Sequence, residues 1–392
     1  MKTQLLTLAL FTINIIPVFA QTPIKLSNSE YGFNEGPVWD RSDKIYFSDI
    51  SKRKVFTYSV TDNTFATAFD VPSPARTNGL MFNSNLDLIV CDFRDGNVTN
   101  RNVDGTILNT YTNILTNPND LCVDKKNGVY VSSPGDFNNN RTKEIYYINA
   151  DDSNTTTLLD DSLEFPNGIL ISTDGKHLFV TDSGSYNIFK FDIDPVTAAI
   201  SNKSIFATLS DLDDTDTNSR ADGMALDTKG NLYVAAKKSI QVFDPTGSNI
   251  KIIDFEENPT NCTFGGSSLS TLFVTTPNDL YKIEMEDVVG FQHPFDLPES
   301  VLSVDNFNTT NPNIKVFPNP TNNHEIEVSV GNLEIKDVEL YNTLGQYIGA
   351  YTFSKTNNSI KIHLDSNLKK GTYILTLKTI DGQVKSSKVM LQ

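Results

Sequence analysis

Short apolar runs dominate the chain, and they come in pairs. From Phe165 to Ser183 the sequence reads FPNGILISTDGKHLFVTDS: two strand-forming runs, GILIS and HLFVTD, joined by the tight turn TDGK. The same unit recurs as NEGPVWDRSDKIYFSD (34–49), TNGLMFNSNLDLIVCD (77–92), PNDLCVDKKNGVYVSSP (118–134), ADGMALDTKGNLYVAAK (221–237) and, more loosely, FGGSSLSTLFVTT (264–276). Taken at Glu35, Asn78, Asn119, Asn167, Asp222 and Gly265, the units start 43, 41, 48, 55 and 43 residues apart. Further strand-like pieces lie between them, such as KVFTYSV, EIYYINA, NIFKFDI and SIQVFD. Helical periodicity is nearly absent. A period of roughly 40–50 residues holding about four short strands is that of a β-propeller blade. The pattern therefore predicts an all-β protein, a six-bladed β-propeller within residues 24–290. PIKLSNS near its start and DLYKIEM near its end are expected to share a blade and close the ring.

Blades are radial copies, so equivalent positions meet at equivalent places. The residue leading into the first strand of each blade should fall at one end of the central channel. Those residues are Glu35, Asn78, Asn119, Asn167 and Asp222, with Gly265 in the sixth copy. Two carboxylates and several amide oxygens gathered in one place suit a hard divalent cation such as Ca²⁺, Mg²⁺ or Mn²⁺. NG, ND and DG are also ordinary turn dipeptides. Their return at one blade position, with Glu35 outside the turn vocabulary, favours a site.

The formal charge of −16 argues against nucleic acid and anionic membranes as partners. Cys91, Cys122 and Cys262 sit in apolar settings with no CxxC spacing, and read as buried free thiols. The four histidines, His177, His293, His324 and His363, read as surface or strand residues, with no Ser or Cys partner motif. Trp39 reads as core packing, and no phosphate-binding glycine pattern stands out.

Both ends of the chain look different from the repeat. Residues 1–20 carry Lys2, an apolar run from Leu5 to Phe19 and VFA before Gln21, the pattern of a cleaved secretory signal peptide. With no Cys near the cut, no lipid anchor is expected there. After a propeller of residues 22–296, a polar Asn/Thr-rich linker is expected over 297–313. Residues 314–392 hold short alternating strands joined by Gly/Asn turns, which predicts a small C-terminal Ig-like β-sandwich.

The motifs EGPVW (35–39), NGL (78–80), NPND (117–120), FPNG (165–168), ADGMALD (221–227) and NCTFGG (261–266) together resemble the SMP-30/gluconolactonase/luciferin-regenerating-enzyme family of six-bladed propellers. The resemblance implies a divalent cation on Glu35, Asn167 and Asp222, with Asn119 beside metal and substrate and Asn78 as a further channel residue. Ca²⁺ is the first expectation, with Mg²⁺, Mn²⁺ or Zn²⁺ as alternatives. It also implies hydrolysis of a sugar lactone, with Asp222 as the proton acceptor acting through a polarised water. Another hydrolase or lyase using the same cation, or a non-catalytic propeller that binds carbohydrate or protein, are the alternatives. Two positions depart from the family: Ser133 in VSSP stands where many bacterial relatives have Asp, and Asn117 where some animal members have Arg. In the tail, VFPNP, LYNTLGQ, the spacing of Leu368, Gly371 and Tyr373, and the final KVML resemble the C-terminal sorting domain of the type IX secretion system. That implies recognition by the secretion machinery, passage across the outer membrane, and release or anchoring at the cell surface after the domain is removed. Sequons at Asn97, Asn154 and Asn202 are then coincidental.

Overall fold

The computed structural model describes residues 21–392 apart from 28–30, 137–139, 151–153, 211–220, 299–313, 323, 332, 343–346, 357 and 381–383. The expected signal peptide and nearly all of the expected linker lie outside the described residues. The chain divides into two compact units, Met1–Ser300 and Val301–Gln392. No helix occurs among the described residues, and none is long and apolar enough to cross a membrane.

Unit one carries six four-stranded antiparallel sheets in a propeller-like arrangement. Sheets I to VI begin at Asn34–Trp39, Thr77–Phe82, Leu121–Val123, Pro166–Ile171, Met224–Leu226 and Asn261–Gly265. Each of these first strands touches the first strand of the next sheet, and that of sheet VI touches that of sheet I, which completes a cycle. Burial falls from the axis outward: Pro166–Ile171 is buried throughout, whereas most of Ile107–Thr112, the outermost strand of sheet II, is exposed. Sheet VI takes its fourth strand from the chain start, with Ile24 opposite Lys282 and Lys25 opposite Tyr281. Lys25 Nζ lies 2.6 Å from the fully buried Asp279 carboxylate, which also accepts from Ser27 Oγ at 2.9 Å. The expected closure by PIKLSNS and DLYKIEM is thus present.

Local chemistry explains why each copy makes a hairpin. In the turns after the first strands an Asp caps the backbone: Asp40 Oδ1 accepts from the N–H groups of Ser42, Asp43 and Lys44, and Asp227 Oδ1 from those of Lys229 and Asn231. A second Asp, at the end of the second strand, fixes the chain leading into the first. Asp49 accepts from Gly32 and Phe33, just ahead of Glu35. Asp182 accepts from Glu164 and Phe165, just ahead of Asn167.

Past the last strand, the chain crosses the C-terminal ends of the first strands. Phe291 N donates to Leu226 O, Gly290 N to Leu269 O, His293 Nε2 to Ile171 O at 2.6 Å, and Lys125 Nζ to Phe295 O. Arg41 donates to Gln292 and lies over the Phe295 ring. This strap joins sheets I, III, IV, V and VI. His293 is therefore a buried structural residue and not the surface or strand histidine that the sequence suggests; burial lowers its pKa to about 4. His177 fits the expectation, half-exposed and paired with Asp192 at 3.0 Å. All three cysteines are buried free thiols, and Trp39 packs in a core cluster, as expected.

Unit two forms two four-stranded sheets around one core, with Ile326, Val328 and Ile362 from one sheet packed with Leu340, Leu375 and Leu377 from the other. This is a β-sandwich.

Candidate active and metal site

The glycine after each polar residue has a steric cause. A Cβ on Gly36 would lie 2.7 Å from Asn78 O, on Gly79 2.8 Å from Asn119 O, on Gly168 2.3 Å from Asp222 O, and on Gly223 1.8 Å from Asn261 Cγ. The first strands crowd so closely around the axis that only glycine fits between one site residue and the next. Hydroxyls tie two of these carbonyls, and two of their neighbours, across the sheets. Ser48 Oγ donates to Asn78 O, Ser132 Oγ to Asn167 O, Thr181 Oγ1 to Asp222 O and Thr260 Oγ1 to Asn34 O, at 2.6–2.9 Å.

In sheet III the residue after Asn119 is Asp120 instead of glycine, and its carboxylate joins the site. Three carboxylates from sheets I, III and V, Glu35, Asp120 and Asp222, sit within electrostatic reach of one another. Desolvation raises all three pKa values. For Asp120 the rise is to about 6, opposed by hydrogen bonds from Leu121 N and Asn261. Glu35 and Asp222 are pushed well up, by desolvation first, with Asp120 adding to both and Asp222 to Glu35. Opposing this, Gly36 N donates to Glu35 Oε2 at 3.2 Å, and the nearby Asn261 amide favours the charged form of Glu35 as Asn167 and Gly223 N favour that of Asp222. Asn167 Nδ2 also donates to Ser183 Oγ at 3.0 Å.

With its nitrogen so engaged, Asn167 Oδ1 is buried without a hydrogen-bond partner, and so is Asn78 Oδ1. Asn34 Oδ1 and Thr77 Oγ1, one residue upstream of Glu35 and Asn78, are in the same state. Each such oxygen costs about 1–3 kcal/mol unless something satisfies it. Among the described residues no three His, Cys, Asp or Glu side chains gather closely enough to hold a metal by themselves. The donor set is mixed instead, with carboxylates that repel and amide oxygens that lack a donor, and a hard cation suits it. On this test Glu35, Asn167 and Asp222 fit such an ion.

Of the residues expected at the channel mouth, Glu35, Asn167 and Asp222 come together through these contacts. Asn78 is buried beside Gly36, and Asn119, half-buried, donates its backbone N–H to Ser132 O and accepts from Gly79 N. The sixth position needs correcting. Gly265 lies at the far end of its strand, where a Cβ would meet Ile45 and Phe273 in the core. Asn261, four residues earlier, heads that strand and occupies the sixth place. The sequence reading also missed Asp120, although an Asp where other copies carry glycine is a signal in itself. Ser133 is buried and exchanges hydrogen bonds with the Thr116 backbone, so it braces the loop before Asn119. Beneath Asp120 and Asn261, a cavity of about 60 Å³ runs down to Gln292 and His293 of the strap.

The sequence from 33 to 278 matches the SMP-30/Gluconolactonase/LRE-like region, and residues 315–392 match the secretion system C-terminal sorting domain. The chain belongs to the SMP-30/gluconolactonase/LRE-like family and carries a type IX sorting tail, which marks it for secretion. It is 26% identical to a gluconolactonase of Zymomonas mobilis over 67% of this chain and 81% of that one. A pentonolactonase of Haloferax volcanii is 24% identical, over 65% and 85%. Among solved structures, a gluconolactonase from Xanthomonas campestris superposes with a TM-score of 0.58 at 24% identity, covering 67% of this chain and 89% of that one.

Proposed function

We propose that this protein is a secreted, metal-dependent lactonase: a six-bladed propeller that hydrolyses a sugar lactone to its hydroxy acid and is delivered to the cell surface or beyond by its cleavable tail. The observation that carries the reading is the pairing of unpartnered amide oxygens with mutually repelling carboxylates in one channel mouth. Membership of a family that includes lactonases supports the substrate class.

Glu35, Asn167 and Asp222 would hold one divalent cation, Ca²⁺ in the first instance. When bound, that ion supplies Lewis-acid stabilisation of the oxyanion formed at the lactone carbonyl. The remaining steps belong to the chain. Asp222 takes a proton from the attacking water, and its half-exposed position gives that water access. The C–O ring bond then breaks, and the ring oxygen leaves as a hydroxyl by accepting the proton that Asp222 took from the water. Asn119 and Asn78 orient the oxygens of the lactone ring. Asn167 lies beside Asp222 and favours its charged form, the form that acts as base.

The test is lactone hydrolysis by the mature chain, followed by pH-stat on an aldonolactone panel after EDTA and after each divalent ion is restored. Turnover lost with EDTA and regained with one ion is expected, and Asp222→Asn should abolish it while the fold persists. Full turnover by Asp222→Asn with the ion bound would remove Asp222 as the base. Stoichiometric ion binding with no turnover on any lactone would point to another reaction or to a binding propeller.

A further inference from the structure

Asn261 is not accounted for by the site as described so far. It heads sheet VI, and its side chain is almost wholly buried. Its amide orientation is set by a backbone group: Cys262 N donates to Oδ1 at 2.8 Å, so the nitrogen must face the other way. That nitrogen donates to Asp120 Oδ2 at 3.2 Å, and the same side chain lies close enough to Glu35 to favour its charged form. The amide plane lies flat on Gly223, where a Cβ would fall 1.8 Å from Cγ, 1.9 Å from Oδ1 and 2.2 Å from Nδ2. Gly223 is the residue after Asp222, and its own N–H donates to Thr260 O, one residue before Asn261. A single side chain therefore bonds Asp120 of sheet III, lies beside Glu35 of sheet I and covers the backbone next to Asp222 of sheet V.

We propose that Asn261 is a positioning residue for the cation site, holding the Asp120 carboxylate beside Glu35 with its amide N–H and buttressing the strand that carries Asp222. This rests on the cation reading above. Two carboxylates that repel would otherwise swing apart, and a cation would have to reassemble them at a cost in affinity. An Asn can do this work where a Lys or Arg could not, because its amide nitrogen faces the acids without adding a positive charge that would repel the ion. Gly223 is the other half of the device, since any side chain there would evict the amide.

The experiment is calorimetric titration of the full mature chain with CaCl₂, and separately with MgCl₂ and MnCl₂, for the wild type, Asn261→Ala, Asn261→Ser and Gly223→Ala. Serine retains a hydroxyl to receive Cys262 N–H but cannot reach the two acids, which keeps the test usable if alanine misfolds. The expected result is binding of one ion by the wild type, with all folded variants roughly 10- to 100-fold weaker at unchanged stoichiometry, the range for loss of an outer-sphere partner. A merely structural role would lower the melting temperature in EDTA yet leave the ion affinity of the folded fraction at the wild-type value, and that outcome overturns the proposal. A wild type that binds none of the three ions overturns the cation reading and this inference together. Tight wild-type binding with equally tight Asn261→Ser binding overturns this inference alone.

Discussion

On the proposed cation site, Asp120 should stabilise the ion-bound protein and be costly to the ion-free one, and Asp120→Asn separates the two. In the ion-free protein its carboxyl is raised from 3.8 to about 6, chiefly by desolvation. Between those values the folded state holds a proton that the unfolded chain has released, so this residue's contribution to stability falls as pH rises and is flat above about pH 7. A rise of about 2 units is worth ~3 kcal/mol at 1.36 kcal/mol per unit. The asparagine variant escapes that cost, but its new amide nitrogen faces Asn261 Nδ2 and one hydrogen bond is lost, about 1 kcal/mol. The net expectation is a gain of ~2 kcal/mol at pH 7.5 in EDTA, or roughly 4–8 °C in Tm for a domain of this size. Differential scanning calorimetry at pH 7.5 and pH 4.5 reads it. At pH 4.5 the wild-type carboxyl is protonated and the advantage should vanish; with millimolar CaCl₂ at pH 7.5 the wild type should gain more than the variant. A variant less stable than wild type in EDTA at pH 7.5, or an advantage equal at both pH values, would refute the reasoning.

Three further outcomes follow from the packing. His293, lowered from 6.5 to about 4 by burial, titrates with the opposite sign, because the unfolded chain takes up its proton first as pH falls below 6.5. In the Asp120→Asn background, His293 should therefore contribute a loss of up to ~3 kcal/mol between pH 7 and pH 4, opposed by the gain from protonating Glu35 and Asp222, and the difference from His293→Gln, which can still donate to Ile171 O, should isolate it in urea titrations. Gly168→Ala would set a Cβ 2.3 Å from Asp222 O and should lower the urea midpoint by the equivalent of about 1–3 kcal/mol, with the slope unchanged. Lys25→Met takes the ammonium from the buried Asp279 at the ring closure and should cost about 1–3 kcal/mol, read as a lowered Tm that recovers at acid pH.

The cycle of sheets was legible because the copies repeat a similar local solution: a polar residue, usually a glycine, a short apolar strand and a turn capped by a polar side chain, Asp in several copies. The sharing of the last sheet by Ile24–Lys25 could be expected too, since a ring with open edges would expose a strand edge. The site was legible only so far as each copy advertised itself. Asn78, Asn167 and Asp222 each precede a glycine, and alignment on that pair found them. The same criterion hid Asp120, which stands in the place of the glycine, and misplaced the sixth copy by four residues, because Gly265 drew the alignment away from Asn261. Both errors come from treating glycine as a turn former. Its actual role is to let the neighbouring first strand approach, so the departure at Asp120 puts a third carboxylate into the crowded mouth instead of relaxing it. What no single copy records is how the copies act on each other: Glu35 is raised by burial and by Asp222 and Asp120 of other sheets, and its neighbour Asn261 lies 226 residues away in the chain. A site assembled from one residue per repeat is readable from the repeats in its members, but its charge balance depends on the ring they form together.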